Sequence, residues 1–450
     1  MKRMLHIVSG MCVLMSLCLC GLAVEAPLTY EKYELQYRGF QPWATIGIEK
    51  LTEAPQGNWK LPKLVAKIPI YVSLQLGDSK YLMVIDQKEA TDAFYNRLYF
   101  DANGNGDLTD DPAIDSAPLA MNATNAYMSR CDFPPIDTTY QVEGKSMPYR
   151  FAVSAYCYYQ DPKSKELTKE IIMRSLQINV SPKCAYRGGI NLNGQKYQFI
   201  LVDDNGNGIF GEAVSIAKDY KKVYEFSRQI YPSGDSLYLR KDTNFTWYDQ
   251  QRCGNKLYLE GKLYDFAINL PQGKMILTPT AENLCGVQLP MEVERLALYR
   301  EDGKGSINVY TAKGELKIPA GNYLVLSYCV FRKDSMGDLW WLQANATVDS
   351  SWFTVTPATP VSLAFGEPYS PTVEIPKWSL QQFKLNPTNI RLEMVILGTG
   401  SEQVANLSHI SGDKTDIPLS ERNKSQPKEA TYTISTMDGA IVAQGKFEYG

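Results

Sequence analysis

Short segments in which apolar and polar residues alternate, separated by turn residues, run through almost the whole of this 450-residue chain. The segment 67–76, KIPIYVSLQL, is typical. Because a strand places successive side chains on opposite faces, this period of two predicts half-buried β-strands. Further strands are predicted at 81–85, 97–100, 175–180 and 197–202, and short helices only at 166–173 and 213–222. We therefore predict a mainly β protein.

An internal repeat is visible in the N-terminal half of the chain. The sequences NRLYFDANGNGDLTDD at 96–111 and YQFILVDDNGNGIFGE at 197–212 each place an apolar strand before a loop rich in Asp, Asn and Gly. The corresponding Asp101 and Asp203 lie 102 residues apart. A third segment, 254–277, resembles the strand pairs and lacks the loop. This self-similarity predicts two related β-rich repeats.

The spacing of the predicted strands changes near residue 281. Short strands follow one another closely up to about residue 365, and prolines then mark a link. This pattern predicts two small β-sandwiches of Ig-like type after the repeats. The predicted units are a signal peptide at 1–26, β-rich repeats with calcium-type loops at 27–140 and 141–279, and β-sandwiches at 280–372 and 377–450.

The N-terminus has the pattern of a secretory signal peptide. The first three residues, MKR, carry two positive charges, and an apolar stretch follows from about residue 5 to residue 24. Small residues then occur at cleavage spacing, either Val24 and Ala26 or Gly21 and Ala23. We predict cleavage near Ala26 and a secreted or periplasmic protein.

Two alternatives to cleavage at this segment are disfavoured. An uncleaved membrane anchor would need a longer apolar run than this one, which is at the lower limit for a span. Lipid attachment at Cys18 or Cys20 is disfavoured because both follow leucine and not a small residue. No later segment is long and apolar enough to span a membrane, so the mature chain is predicted to lack a transmembrane segment.

Charge and histidine content argue against several classes of function. Removing Lys2, Arg3 and Glu25 from the 46 basic and 49 acidic residues leaves 44 and 48, a net charge of about −4. This balance indicates no nucleic-acid partner. The mature chain retains only His409, so a His-rich zinc site is excluded and a histidine-activated nucleophile would have to use this one residue. We therefore favour a non-enzymatic role.

Six cysteines remain after the predicted signal peptide. An even number in an oxidising compartment permits up to three disulfides, and the sequence does not choose among the possible pairings. The alternative is that some of these cysteines are small buried apolar side chains. The six are Cys131, Cys157, Cys184, Cys253, Cys285 and Cys329.

Both repeat loops have the spacing of a calcium-binding loop. Oxygen-bearing side chains occur at positions 1, 3 and 5, glycine at 6, a backbone carbonyl is available at 7, an apolar residue stands at 8, and an acid at 10. Asn-Gly turns without an ion are the alternative, because Asp and Asn also cap turns. The predicted calcium ligands are Asp101, Asn103, Asn105, Asp107, Asp110 and Asp111 in the first loop and Asp203, Asn205, Asn207, Ile209 and Glu212 in the second.

These loops resemble the EF-hand-like calcium loops of dockerin type. The resemblance covers about ten residues per loop and implies ion chemistry but not a fold. Two departures matter: Pro112 and Val214 stand where the bidentate glutamate belongs, and a strand leads into each loop. With the phrases at 257–266 and 318–323 and the terminal GKFEYG, the chain also resembles uncharacterised exported bacterial multidomain β proteins that carry DxNxNG loops.

Two functions follow as hypotheses. The first is an exported, non-enzymatic, calcium-stabilised structural or binding protein of the cell envelope, with a glycan or protein ligand at the cell surface. The second is a carbohydrate-active enzyme or sugar-binding protein. The second hypothesis predicts an open cleft that is lined by aromatic side chains and contains acids outside the two loops.

Overall fold

The structure is a computed structural model that describes residues 23–33, 45–92, 95–116, 118–119, 128–158, 168–387, 389–411 and 417–449. Most of the predicted signal peptide, including Cys18 and Cys20, lies outside these residues. None of the helices in the described part of the chain has the length and apolar character needed to span a bilayer.

The chain is mainly β, as the alternating pattern predicts. The N-terminal half contains β1 (Val24–Pro27), β2 (Thr29–Lys32), β3 (Ile46–Ile48), β4 (Ile70–Leu76), β5 (Ser79–Asp86), β6 (Arg97–Phe100), β7 (Ile114–Asp115), β8 (Pro118–Leu119), β9 (Met128–Asp132), β10 (Ile136–Val142), β11 (Lys145–Tyr158), α1 (Lys169–Ser175), β12 (Leu176–Pro182), β13 (Cys184–Leu192), β14 (Gln195–Val202), α2 (Tyr220–Val223), β15 (Ser236–Arg240) and β16 (Gln250–Arg252).

The C-terminal half continues this pattern and adds one helix. It contains β17 (Lys256–Leu259), β18 (Lys262–Asn269), β19 (Lys274–Pro279), β20 (Leu284–Gln288), β21 (Val293–Arg300), β22 (Ile307–Ala312), β23 (Glu315–Pro319), β24 (Gly321–Lys333), β25 (Leu339–Asn345), β26 (Trp352–Val355), β27 (Val361–Ser362), β28 (Ser370–Glu374), α3 (Lys377–Leu385), β29 (Glu393–Leu397), β30 (Gln403–Ser411), β31 (Thr431–Ser435) and β32 (Ile441–Lys446).

The strands form several sheets, of which one dominates. This long sheet has 12 strands in the order β1-β19-β18-β17-β22-β21-β24-β25-β30-β29-β28, with β26 added beside β24. A six-stranded sheet has the order β3-β12-β11-β9-β8 with β10 beside β11, and a five-stranded sheet has the order β16-β15-β14-β13-β2. Smaller sheets are β4-β5-β6-β7, β23-β20-β27 and β31-β32.

Three hairpins share one turn geometry. The turns of β10–β11, β13–β14 and β17–β18 contain Glu143-Gly144, Asn193-Gly194 and Glu260-Gly261, and both residues of each pair have positive φ, between 48° and 84°. Positive φ at both central residues is the type I′ turn, whose twist matches that of paired strands. The recurring X-Gly-Lys/Gln phrase in the sequence is therefore a hairpin signal, which explains why the segment 254–277 resembles the repeats.

The two predicted repeats share one hydrophobic core. Buried residues of the four-, five- and six-stranded sheets and of the β1-β19-β18-β17 end of the long sheet pack in a single cluster. Phe100 from the first repeat lies edge-on to Phe151 at a centroid distance of 5.2 Å. A second cluster lies between the β23-β20-β27 sheet and the long sheet, with Val287 and Leu316 on one side and Leu296 and Val309 on the other.

The long sheet crosses the predicted unit boundaries. Parallel pairing of β17 with β22 joins strands on either side of residue 280, and antiparallel pairing of β25 with β30 joins strands on either side of residues 372–377. In the segment 377–450, which the sequence predicts to be a sandwich, two strands extend the long sheet. Val395 is the one buried apolar side chain among the described residues of that segment.

One predicted helix is mostly absent. In the segment 213–222 only the C-terminal residues are helical, within α2. The N–H of Val214 donates to the carbonyl of Cys253, and Ser215 forms an isolated antiparallel bridge with Ser233, so backbone hydrogen bonds to distant residues override local helix preference. The other predicted helix, at 166–173, is present from Lys169 as α1, and residues 166–167 lie outside the described part.

The described cysteine side chains are buried free thiols. Cys131, Cys184, Cys253, Cys285 and Cys329 are all unpaired, whereas the side chain of Cys157 lies outside the described ones. Burial raises the pKa of Cys131 to about 11 and that of Cys184 to about 12, which keeps both thiols protonated. Of the two alternatives, these five cysteines follow the second and act as small apolar core residues.

Candidate functional site

The two Asp- and Asn-rich loops fold in the same way. The first follows β6 and the second follows β14. In each, the aspartate at position 1 accepts hydrogen bonds from the N–H groups of positions 5 and 6, the asparagine at 3 accepts from position 5, and the asparagine at 5 accepts from position 7. Asp101 and Asp203 are both fully buried at the start of this ladder. The repeated spacing in the sequence thus corresponds to one repeated local structure.

Glycines at positions 4 and 6 allow the tight winding of both loops. Gly104 and Gly106 have φ of 70° and 81°, and Gly206 and Gly208 have φ of 68° and 78°. These values lie in the left-handed region, where a side chain is disfavoured. The apolar residues at position 8, Leu108 and Phe210, are buried and attach each loop to a core, as the pattern predicts.

Four carboxylates gather in the first loop. Asp111 accepts the N–H of Ala102 at 3.0 Å, and Asp110 accepts the side-chain amide of Asn105 at 2.8 Å. Burial raises the pKa of Asp111, and the charges of the other three carboxylates raise it further. Asp101 accepts two N–H donors, at 3.0 and 2.9 Å. Since an ionised carboxylate has about four acceptor sites, two remain open for other partners.

Lys60 is a neighbour of the first loop that the spacing of the motif does not reveal. Its ammonium lies 2.7 Å from a carboxylate oxygen of Asp107, and this hydrogen bond lowers the pKa of Asp107 to about 2. Its backbone pairs with the loop as well, since its N–H donates to Gly106 and its carbonyl accepts from Leu108. The segment around Lys60 therefore supports one side of the loop.

In the second loop, the first aspartate is fully occupied by the protein. Asp203 accepts the N–H groups of Gly206, Asn207 and Gly208 and the hydroxyl of Tyr149, the last at 2.8 Å. Burial raises its pKa to about 6. Four donors account for about all the acceptor sites of a carboxylate.

The remaining predicted ligands of the second loop lie close together. The side-chain amides of Asn205 and Asn207 both donate to one carboxylate oxygen of Glu212, each at 2.6 Å. The side chain of Ile209 is 41% exposed, and its N–H donates to Asn207.

Asp235 closes the second loop and is not part of the sequence motif. It is fully buried and accepts the N–H groups of Asp204, at 3.1 Å, and of Glu212, at 2.9 Å, so it holds both ends of the loop. Burial, followed by the charge of Asp203, raises the pKa of Asp235 above its ordinary value. No local pattern marks this residue, because it enters from the start of β15.

The donor set of both loops is mixed. Within the described ranges, no group of three or more His, Cys, Asp and Glu side chains is arranged to hold a metal ion. An ion in either loop would therefore depend on asparagine oxygens and backbone carbonyls in addition to carboxylates. Such oxygen-only, loosely arranged ligand sets suit calcium better than zinc or magnesium.

A cleft of about 640 Å³ lies between the five-stranded sheet and the long sheet. Its floor contains a buried ion pair in which Arg295 Nη2 lies 2.6 Å from Asp249, and these side chains are 6% and 1% exposed. Arg240 approaches the same carboxylate at 3.2 Å. Aromatic side chains line the cleft, among them Tyr248 and Phe331. Acids outside the two loops also line the cleft, among them Glu260 and Glu294.

No protein-family model, curated protein or solved structure matches this chain at a significant level.

Proposed function

We propose that this is an exported, non-enzymatic β protein of the cell envelope, stabilised by calcium and serving a structural or binding role. The observation that carries the proposal is the geometry of the first loop, in which the buried Asp101 accepts only two N–H donors and Asp110 and Asp111 are hydrogen-bonded within the same turn. Carboxylates in one loop repel one another, and a divalent cation between them would remove the repulsion. The proposal also rests on the resemblance to exported bacterial β proteins with such loops.

The first loop is the better candidate site. Asp101 keeps about two acceptor sites free of protein donors, and Asp110 and Asp111 add two further carboxylates. Asn103, Asn105 and the carbonyl of Asp107 complete a set of six oxygen ligands, within the range that calcium takes.

The second loop is proposed as a weaker calcium site. Its candidate ligands are Asp203, Asn205, Asn207, the carbonyl of Ile209 and Glu212. Asp203 already accepts four hydrogen bonds, so an ion there would have to displace a donor such as the Tyr149 hydroxyl. The turn-only alternative therefore has more support at this loop than at the first.

The repeat interpretation of the chain is part of the same proposal. The shared hydrogen-bond ladder supports two related units that each carry a calcium-type loop. The core between the β23-β20-β27 sheet and the long sheet supports an Ig-like sandwich at 280–372.

Export is proposed with cleavage after Ala23. The strand β1 pairs with β19, and Ala26 within it is 1% exposed. Cleavage after Ala26 would remove most of that strand, whereas cleavage at the second predicted position, Gly21 and Ala23, leaves it whole. Intact-mass measurement of protein recovered from a bacterial periplasm is expected to give an N-terminus at Val24. A mature chain that begins at Pro27 would contradict the assignment.

Thermal unfolding tests the calcium proposal. At about 10 mM calcium and a Kd of about 10⁻⁴ M, the ion exceeds the Kd about 100-fold and stabilises the folded chain by about 2.7 kcal/mol. We expect the melting temperature of the wild type to be roughly 3 °C higher in calcium than in EGTA if the chain unfolds as one unit. Asp101→Asn keeps an acceptor oxygen for the loop N–H groups but removes the charge, and should reduce the difference to the smaller part that the second loop contributes.

The matched control is Asp438→Asn, which neutralises an exposed aspartate in the β31–β32 turn. This variant should retain the full calcium effect. Magnesium at the same concentration should give a smaller effect, because it requires a stricter octahedral geometry. Equal melting of the wild type in calcium and in EGTA would rule out the ion in both loops.

A further inference from the structure

We propose that the cleft between the five-stranded sheet and the long sheet binds a neutral oligosaccharide. This goes beyond the calcium role, because the cleft shares no residue with either loop. Its volume of about 640 Å³ falls within the range of about 300–1,000 Å³ that is usual for small-molecule sites. Four features of its lining support this ligand class: charge balance, pairing of the charges, aromatic surface and a rigid floor.

The charged residues that line the cleft nearly cancel. They are the cations Arg240, Lys241 and Arg295 and the acids Asp242, Asp249, Glu260 and Glu294. Three positive and four negative charges leave a net charge of about −1, so the cleft offers little field to attract a strongly charged ligand.

These charges are also paired within the protein. Lys241 lies 3.1 Å from Glu260 and Arg240 lies 3.2 Å from Asp242. A charged ligand group would have to break such pairs. A sugar hydroxyl can donate to a carboxylate and accept from an ammonium or guanidinium group, so it can join the pairs without replacing a charge.

Aromatic side chains supply the apolar surfaces of the cleft. Phe331 and Ile410 are both 37% exposed. The ring of Tyr248 lies 4.4 Å from that of Trp341, which fixes its orientation. The C–H face of a pyranose ring is apolar, and it can pack on such a ring while the hydroxyls at its edge remain free for hydrogen bonds.

Buried side chains form the floor of the cleft. Tyr310 and Arg295, which both line it, are 7% and 5% exposed. The ion pair of Arg295 with Asp249 holds this floor rigid, which reduces the ordering that binding requires.

Isothermal titration of the full mature chain with defined sugars tests the proposal. The probes are neutral hexasaccharides of glucose, xylose, mannose and N-acetylglucosamine, and a hexagalacturonate of equal length as the charged comparison. We expect at least one neutral hexasaccharide to bind with a Kd below about 1 mM. The uronate should bind at least tenfold more weakly.

Phe331→Ala tests whether the oligosaccharide binds in the cleft. Because Phe331 is partly exposed, the variant should keep the wild-type melting temperature while weakening binding at least tenfold. The matched control is Phe226→Ala, at an exposed phenylalanine outside the cleft that is 46% exposed, and it should bind as the wild type does.

Three results would overturn the proposal: no neutral probe binds at millimolar concentration, the uronate binds as well as the neutral sugars, or Phe331→Ala binds like the wild type. The titration measures sugar binding in the cleft, and the melting experiment measures stabilisation by calcium at the first loop. Either proposal can therefore fail without the other.

Discussion

At the scale of single residues, Asp249 is the buried acid that pairs with two of the cations lining the cleft. Its carboxylate accepts from Arg295 at 2.6 Å, from Arg240 at 3.2 Å and from the N–H of Thr246 at 2.6 Å. With 1% of its surface exposed, it is far from the solvent that would screen these contacts. Loss of one partner from such a buried pair leaves an uncompensated charge, which is much more unfavourable than the loss of a surface pair.

Asp249→Asn should therefore lower the free energy of unfolding by about 3 kcal/mol, because it keeps the shape of the side chain and leaves Arg295 buried without a counterion. The control is Asp242→Asn, which removes the exposed partner of the same Arg240 and should change stability by less than about 1 kcal/mol. Urea unfolding measures both. Similar losses of unfolding free energy in the two variants would mean that the buried pair of Asp249 with Arg295 contributes no more to stability than the exposed pair of Asp242 with Arg240.

The predictability of a site residue depends on how near its partners lie in the chain. Asp101 and Asp203 are recognisable because the backbone N–H groups that they accept lie within the next five residues. Asp235 and Asp249 are not, since Asp235 bonds to a residue 31 positions away and Asp249 to one 46 positions away. The position of the cleft could consequently not be predicted from the sequence, which shows only that aromatic and acidic residues are plentiful.

At the scale of elements, the two loops share their hydrogen bonds but differ in what lies against them. The hydroxyl of Tyr140 donates to the carbonyl of Gly208, and the Tyr140 ring covers that glycine. A Cβ at Gly208 would lie 2.8 Å from Tyr140 Cε2, whereas a Cβ at Gly144 in the β10–β11 turn would meet nothing within 4 Å. Both glycines have positive φ, 78° and 74°.

Gly144→Ala should therefore lower the free energy of unfolding by about 1 kcal/mol, from backbone strain alone. Gly208→Ala should lower it by about 2–4 kcal/mol, because the fully buried Tyr140 has little room to move and overpacking adds to the strain. Guanidinium unfolding of both variants provides the comparison. Equal effects would show that the loop relaxes around the added methyl group.

The strands predicted at 81–85 and 97–100 lie within β5 and β6, although these apolar segments do not alternate and are buried on both faces. The helix predicted at 213–222 failed because Val214 and Ser215 bond to the backbone of Cys253 and Ser233, which a local pattern does not contain. The local geometry of the loops was predictable from their spacing. Their neighbours Lys60 and Tyr149 were not, because both residues are distant from the loops in the sequence.

At the scale of the whole molecule, the long sheet joins parts of the chain that are far apart in sequence. Val24 at one edge pairs with Leu277, and Trp340 pairs with His409. Composition and strand spacing change near residues 280 and 372, which is why the sequence predicts separate units there. Pairing between distant strands leaves no local pattern in the sequence. The sequence therefore predicts separate units at places where the long sheet is continuous.

The long sheet implies that the segment 377–450 does not fold alone. Within this segment β30 depends on β25 for most of its pairing, and the β31–β32 hairpin leaves Ile441 and Val442 more than 60% exposed. A two-stranded hairpin is at best marginally stable in water. Val395, the one buried apolar side chain among the described residues of the segment, supplies almost no core. We expect a fragment of residues 377–450 to give the narrow amide proton dispersion of an unfolded chain in NMR, whereas the same residues are protected from hydrogen exchange at β30 in the full chain. A well-dispersed spectrum for the fragment would instead establish an independent C-terminal domain.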